Sequence, residues 1–394
     1  MSIPAAGKGD EMGIVKLLDA TLKPPFVNTN PGSVYLDRCR NYNMVIGAAG
    51  TRRGRIWAAW VSGGDSPDAY FVLSTSDNRG ETWSQPRLVI DPPDHVSGLK
   101  LSILVGNLWL APDGAMWLIF DQSLEQFDGR AGVWLMRCAN PDADIPAWTA
   151  PLRICDGMTL NKPLVHSSGD WLIPVSLWDR SRISPRVRAL DSAVHSDLDP
   201  WRMSNVFASR DQGVSWQRRG GVLVPRPRFD EAVLIERRDG SIWMTCRTET
   251  TIFESSSRDI GATWSTPSQC AIAHISARHF IMRLASGRLL LVKHGLTADT
   301  TTAGRTHLTA FLSDDDGITW QGSLLLEPRT ERDCSYPDGF QFDDGTIAVV
   351  YDYGRADPSE VLMARFNERD VLTSSPAEPG SRLGILVSRA AGPR

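Results

Sequence analysis

The sequence predicts an all-β chain folded as a six-bladed β-propeller of four-stranded antiparallel blades, on three observations. First, a turn carrying glycine and followed by a short apolar run recurs six times. It is written "RRGRIWAAW", "PDGAMWLIF", "SSGDWLIPVSLW", "RDGSIWMTCR", "SGRLLLVKH" and "DDGTIAVVYD", with Gly54, Gly114, Gly169, Gly240, Gly287 and Gly345 in the turns. Apolar β-rich runs around a tight glycine turn mark a hairpin. Second, the turns stand 47 to 71 residues apart, room for about four short strands per unit, as a propeller blade requires. Third, an octet occurs four times, as "SDNRGETW" (76–83), "SRDQGVSW" (209–216), "SRDIGATW" (257–264) and "SDDDGITW" (313–320). Long amphipathic helical patterns are nearly absent. Two separate β-sandwiches would leave a unit repeated from residue 50 to 350 unexplained.

Taken in order, residues 1–30 form an N-terminal segment in which "GIVKLLDATL" is expected to be a strand closing the ring. Residues 31–373 form the propeller, and 374–394, beginning "SSPAEPGSRLG", read as loop and tail. A chain of 394 residues would otherwise be expected to split into domains, and the repeat removes that need.

Composition narrows the function. A net charge of −4 gives no electrostatic footprint for nucleic acid. No apolar run reaches the 18 or so residues of a membrane helix, and "MSIPAAGKGDEMG" has no apolar signal core, so a cytoplasmic protein is expected. The six cysteines are scattered without a CxxC pair, which predicts ordinary buried thiols and neither a metal site nor a disulfide framework. His279, His294 and His307 make no recognisable metal set, and no cofactor is expected.

The octet is read as scaffold. In "SRDIGATW" the Asp can accept hydrogen bonds from the turn's own N–H groups, Gly261 permits a positive φ, and the Trp offers an apolar face. Four copies spread around a ring cannot all face one site.

Chemistry is expected where the first strands converge on one rim. Glu231, Arg278 and Tyr336 each lie nine residues before a turn glycine, which places a carboxylate, a guanidinium and a phenol at one register. "DGRAGVW" (128–134) and "LNKPLV" (160–165) fall near the same rim, as substrate contacts or as loop shapers.

The octet S-x-D-x-G-x-[ST]-W resembles the Asp-box, or BNR repeat, of the sialidase (neuraminidase) superfamily, and the resemblance covers nearly the whole chain. Asn78 replaces the Asp in the first copy. The resemblance implies a retaining sialidase site in which arginines hold the sugar carboxylate, a Tyr with a Glu as its base attacks the anomeric carbon, and an Asp protonates the leaving oxygen. "DEAVLIERRDGSIWMTCR" resembles the blade with the Glu and second arginine, giving Glu231 and Arg247. "GRTHLTAFLSDDDGITW" nominates Arg305, and "CSYPDGFQFDDGTIAVVYDYG" nominates Tyr336 as nucleophile. The family writes Arg-Ile-Pro in the first blade where this chain has "CRNYNMVIG", so Arg40 is expected there, with Arg38 as the alternative. "GGDSPDAYFVLS" offers Asp65 as the acid, or Asp68. The implied activity is exo-acting removal of a terminal acidic 2-keto sugar from a glycan, without nucleic-acid or membrane partners. Two alternatives stay open: an enzyme for another carboxylate-bearing sugar, working by hydrolysis or elimination, and a glycan-binding propeller without turnover.

The residue types suit that chemistry. A guanidinium fork binds a planar carboxylate bidentately, as Lys cannot. A neutral phenol avoids the repulsion a carboxylate nucleophile would meet at an anionic sugar. Arg278 lies outside the three-arginine scheme, and is expected either to contact a second polar group of the substrate or to tune Glu231.

Overall fold

The computed structural model of the protein describes residues 18–93 and 98–393. These form six four-stranded antiparallel sheets, each with its strands in chain order from the first to the fourth. The first strands are Met44–Gly50, Gly106–Leu110, Leu164–Val165, Pro227–Glu236, Phe280–Arg283 and Cys334–Gln341, and each opens one of blades one to six. Each of the six glycines lies in the turn that follows its blade's first strand, with φ between +78° and +95°, a region that side chains with a Cβ rarely enter. The all-β propeller is therefore as the repeat predicted.

The two ends depart from expectation. Of the strand expected over 13–22, residues 13–17 lie outside the described residues, and Asp19–Leu22 forms a 3-10 turn. Hydrogen bonds from Gln122 and Arg130 pin that turn to the second blade. The ring closes by packing of the first strands of blades six and one. The expected tail instead contributes Arg382–Arg389, the fourth strand of blade six. The boundary at 373 failed because blade six has no octet. A short helix, Glu368–Thr373, stands in its place, capped by Asn367, and the Pro/Gly/Ser-rich link after it hid the strand.

Blades adhere through large apolar side chains. Trp109, Trp117 and Trp171 join blades two and three, with ring centroids 4.9 to 6.1 Å apart in edge-on contacts, an arrangement aromatic quadrupoles favour. The octets connect the third and fourth strands of blades one, three, four and five. In the copy at 257–264, Asp259 accepts from the Thr263 amide at 2.8 Å, the Thr263 hydroxyl at 2.6 Å and Ser257 at 2.8 Å. Trp264 donates to Gly261 O at 3.1 Å. Asn78 makes the same turn by accepting from the Thr82 amide and donating to its hydroxyl, both at 2.9 Å. All six cysteines are free. Five are buried, and Cys39 is exposed, against expectation.

Candidate active site

Glu231 and Tyr336 are thrown out of their ladders by backbone irregularity. Phe229, Asp230 and Glu231 have φ of +62°, +57° and +45° in succession, and pairing with the second strand shifts register on both sides of Asp230. Tyr336 has φ +50° where the register shifts between Ser335 and Asp338. Each such residue costs about 1–3 kcal/mol, and bulges of this kind re-aim side chains beside functional sites. The result is a buried contact between blades four and six: the Tyr336 hydroxyl donates to Glu231 Oε1 at 2.9 Å.

Arg247 stands opposite Asp230 on the second strand of the same hairpin. Its Nη1 donates to the same Oε1 of Glu231 at 2.7 Å. Burial opposes the Arg247 charge, but Glu231 and Tyr336 outweigh it and hold the guanidinium ionised. Glu231 Oε2 is buried and accepts no hydrogen bond among the described residues. Burial, reinforced by the Glu231 charge, pushes the Tyr336 phenol up to about 12, so it is neutral at pH 7. Phe229 lies under this cluster, with the guanidinium carbons of Arg182 and Arg247 5.1 and 5.4 Å from its ring centroid.

Arg305 reaches the site from the loop before the third strand of blade five. It donates to Ser335 Oγ and to Ser276 O, both at 3.2 Å, and has no ion pair among the described residues. Burial and then the neighbouring Arg355 lower its pKa. Asp65 stands about half exposed on the loop after the second strand of blade one, held by Gln126 at 2.8 Å, with Oδ2 3.9 Å from Arg355 Nη1. Asp68 is exposed and pairs with Lys100, away from this cluster.

Two expected residues are engaged elsewhere. Arg40 is buried with all its donors committed: Nε to Tyr35 O, Nη1 to Asn43 and Ser62, and Nη2 to Asp37 and Ser388. It braces the entry to blade one and has nothing left for a ligand. Its alternative, Arg38, is exposed in the 3-10 turn Asp37–Cys39. Arg278 does share the register of Glu231 and Tyr336, and its guanidinium carbon lies 5.9 Å from the Tyr336 ring centroid. Its donors, however, run into the propeller axis, to Ile46 O, Leu160 O, Asn161 and Asp338. Asp338 also accepts from Ala48 N and Asn107 and pairs with Lys162. The bonds of Arg278 thus run to the axis, and none goes to Glu231. Arg278 plugs the axis together with Asn161 and Lys162 of the "LNKPLV" segment. Asp128, in "DGRAGVW", accepts from its own loop's amides at Arg130 and Ala131 and shapes that loop.

Arg355 was missed. It follows the second strand of blade six, Ile347–Tyr353, as Arg247 ends that of blade four. "YDYGR" therefore carried the signal: a basic residue at the same end of the hairpin as Tyr336. Its guanidinium carbon lies 4.3 Å from the Tyr336 ring centroid, and Nε donates to buried Asp352 at 3.0 Å.

The comparisons agree with this geometry at the level of fold. A family model described as a BNR repeat-like domain matches residues 54–349. No curated protein matches the chain in sequence. Among solved structures, it is similar to a protein of unknown function from Dyadobacter fermentans, at 17% identity and TM-score 0.60 over 84% of this chain and 95% of that one. It is similar to a leech intramolecular trans-sialidase complexed with 2,7-anhydro-Neu5Ac, at 13% identity and TM-score 0.65 over 88% and 71%. It is also similar to the intramolecular trans-sialidase from Ruminococcus gnavus, at 13% identity and TM-score 0.63 over 87% and 98%.

Proposed function

The chain belongs to the family of BNR repeat-like domains, and from that premise we propose that it is an exo-acting, retaining glycoside hydrolase of the sialidase type, releasing a terminal acidic 2-keto sugar. The observation that carries the reading is the buried hydrogen bond from the Tyr336 phenol to Glu231, among arginines, at the convergence of two blades. A phenol at about 12 is a poor nucleophile until a base takes its proton, and Glu231 is in position to take it.

In this scheme Arg247 and Arg305 hold the sugar's carboxylate. Tyr336 Oη bonds to the anomeric carbon as its proton passes to Glu231, and the glycosidic oxygen leaves with the proton of Asp65. Asp65 then takes a proton from water. The resulting hydroxide attacks the anomeric carbon, Tyr336 leaves and recovers its proton from Glu231, and configuration is retained.

A second reading keeps the anion site and changes the sugar. It is favoured by the commitment of Arg40 to structural contacts, which departs from the family's first-blade pattern. A panel of fluorogenic glycosides of sialic acid, its deaminated analogue, the eight-carbon ulosonic acid and glucuronic acid separates the two. Release from the first supports the sialidase reading; release from another member alone transfers the chemistry to that sugar. Silence across the panel rejects hydrolysis of these sugars.

A further inference from the structure

We propose that Arg355 supplies, from blade six, the guanidinium that blade one does not, completing with Arg305 and Arg247 a clamp for the carboxylate on the sugar's anomeric carbon. The inference rests on the reading of the site as one for an acidic 2-keto sugar.

Four observations lead to it. The first is position. Arg355 belongs to blade six in sequence but is fastened to the entry of blade one: its carbonyl accepts from Asn43 N at 2.9 Å. Its partner Asp352 accepts from Val45 N at 3.2 Å. The Arg355 backbone and the carboxylate that holds its guanidinium thus sit at the beginning of the first strand of blade one, where Arg40 is turned away.

The second is aim. The guanidinium carbon stands 4.3 Å from the Tyr336 ring centroid, and Nη1 is 3.9 Å from Asp65 Oδ2. A sugar carbon bonded to Tyr336 Oη would carry its carboxylate within reach of that fork. The third is unused capacity. Nε is spent on Asp352, but Nη2 is buried and donates to nothing among the described residues. A buried donor left unpaired costs about 1–3 kcal/mol, which an entering carboxylate oxygen would recover.

The fourth is shared space. Arg305, Ser335 and Arg355 line one cavity of 540 Å³. Arg305 has no carboxylate partner among the described residues, and its pKa is lowered by burial and then by Arg355 and Arg247. Arg305 is repelled by both of the other guanidinium groups, and a bound anion relieves that repulsion. Asp352 plays the positioning part: it keeps Arg355 charged and oriented without touching the ligand.

The test is isothermal titration of the 2,3-unsaturated derivative of sialic acid and of its C1 carboxamide into the parent and into Arg355→Met, Arg355→Lys and Arg38→Met. Melting curves establish that each variant is folded. The parent should prefer the acid by about 30-fold or more, in the range two charge-assisted hydrogen bonds supply. Arg355→Met should reduce that preference to about threefold or less, Arg355→Lys should leave an intermediate value, and Arg38→Met should match the parent. An undiminished acid preference in folded Arg355→Met overturns the assignment while leaving the proposed function standing. So does a fall in kcat with an unchanged acid-to-amide ratio, which would make Arg355 a support for Tyr336 only. If Arg355→Met does not fold, an unaltered ratio in Arg355→Lys overturns it equally. A parent that binds neither probe removes the acidic-sugar reading itself, and the clamp with it.

Discussion

The Glu231–Tyr336 pair is assembled by residues that ordinary strands would not tolerate. Three successive left-handed residues end at Glu231, and a fourth is Tyr336 itself. The two side chains then meet in a buried contact where one carboxylate oxygen serves both Arg247 and the phenol. Tyr336→Phe removes only the hydroxyl and should abolish turnover with the melting temperature nearly unchanged. A fluorogenic assay giving a rate within about tenfold of the parent would refute a nucleophilic role. Glu231→Gln keeps the shape but cannot take the phenolic proton, so kcat should fall by about 100-fold or more. A smaller loss would assign the proton to another group. Since burial and Glu231 push the phenol up to about 12, it is neutral in the folded and the unfolded protein below about pH 10, so the stability curves of parent and Tyr336→Phe should run parallel up to that pH.

Among the elements, the octet turns carry stability and not chemistry. Asp259 sits in a turn exposed to solvent, and the side chain and amide of Thr263 lower its pKa to about 2. A carboxylate depressed in the folded state stabilises above its unfolded pKa near 3.9, and the contribution is lost as pH falls from about 4 through 2. Asp211 and Asp315 share this behaviour, so acid should loosen three turns together. The first turn, built on Asn78, does not titrate. Asp259→Ala should therefore cost about 1 kcal/mol and lower the melting temperature at pH 7. Asp259→Asn should preserve most of it, because Asn78 already forms the same bonds. Thermal melts at pH 7 and pH 3 check both: the gap between parent and Asp259→Asn should narrow at pH 3. A changed KM in either variant would contradict the scaffold role.

At the scale of the whole molecule, the ring is locked on its axis. Arg278 of blade five bonds to Ile46 of blade one, to Leu160 and Asn161 beside blade three, and to Asp338 of blade six. Asp338 binds Asn107 of blade two in turn. Gly47 is needed for this closeness, since a Cβ there would stand 2.4 Å from Asn107 Oδ1. Stranding one member of a buried ion pair costs about 3–5 kcal/mol; Asp338 would keep Lys162, so the loss should fall below that range. Arg278→Ala should accordingly lower the denaturation midpoint and the yield of folded protein, with activity falling in step. A variant of parental stability but hundredfold lower kcat/KM would return Arg278 to the catalytic rim.

The sequence by itself determined the propeller, the six hairpins and the nature of the octet, because each is a local device. A glycine turn, a period-two apolar run and an Asp that binds its own loop are written within about ten residues. It also placed Glu231 and Tyr336 on one rim, since equal distance from a turn means equal height on a blade. What it could not decide was direction and partnership across blades. Arg40, Arg278 and Arg355 look alike as letters. One is spent on Asp37 and Ser388, one on the axis, and one stands over Tyr336, according to which acceptors the closed ring brings within reach. A guanidinium is satisfied by neighbours hundreds of residues away, and only the tertiary structure brings those neighbours to it.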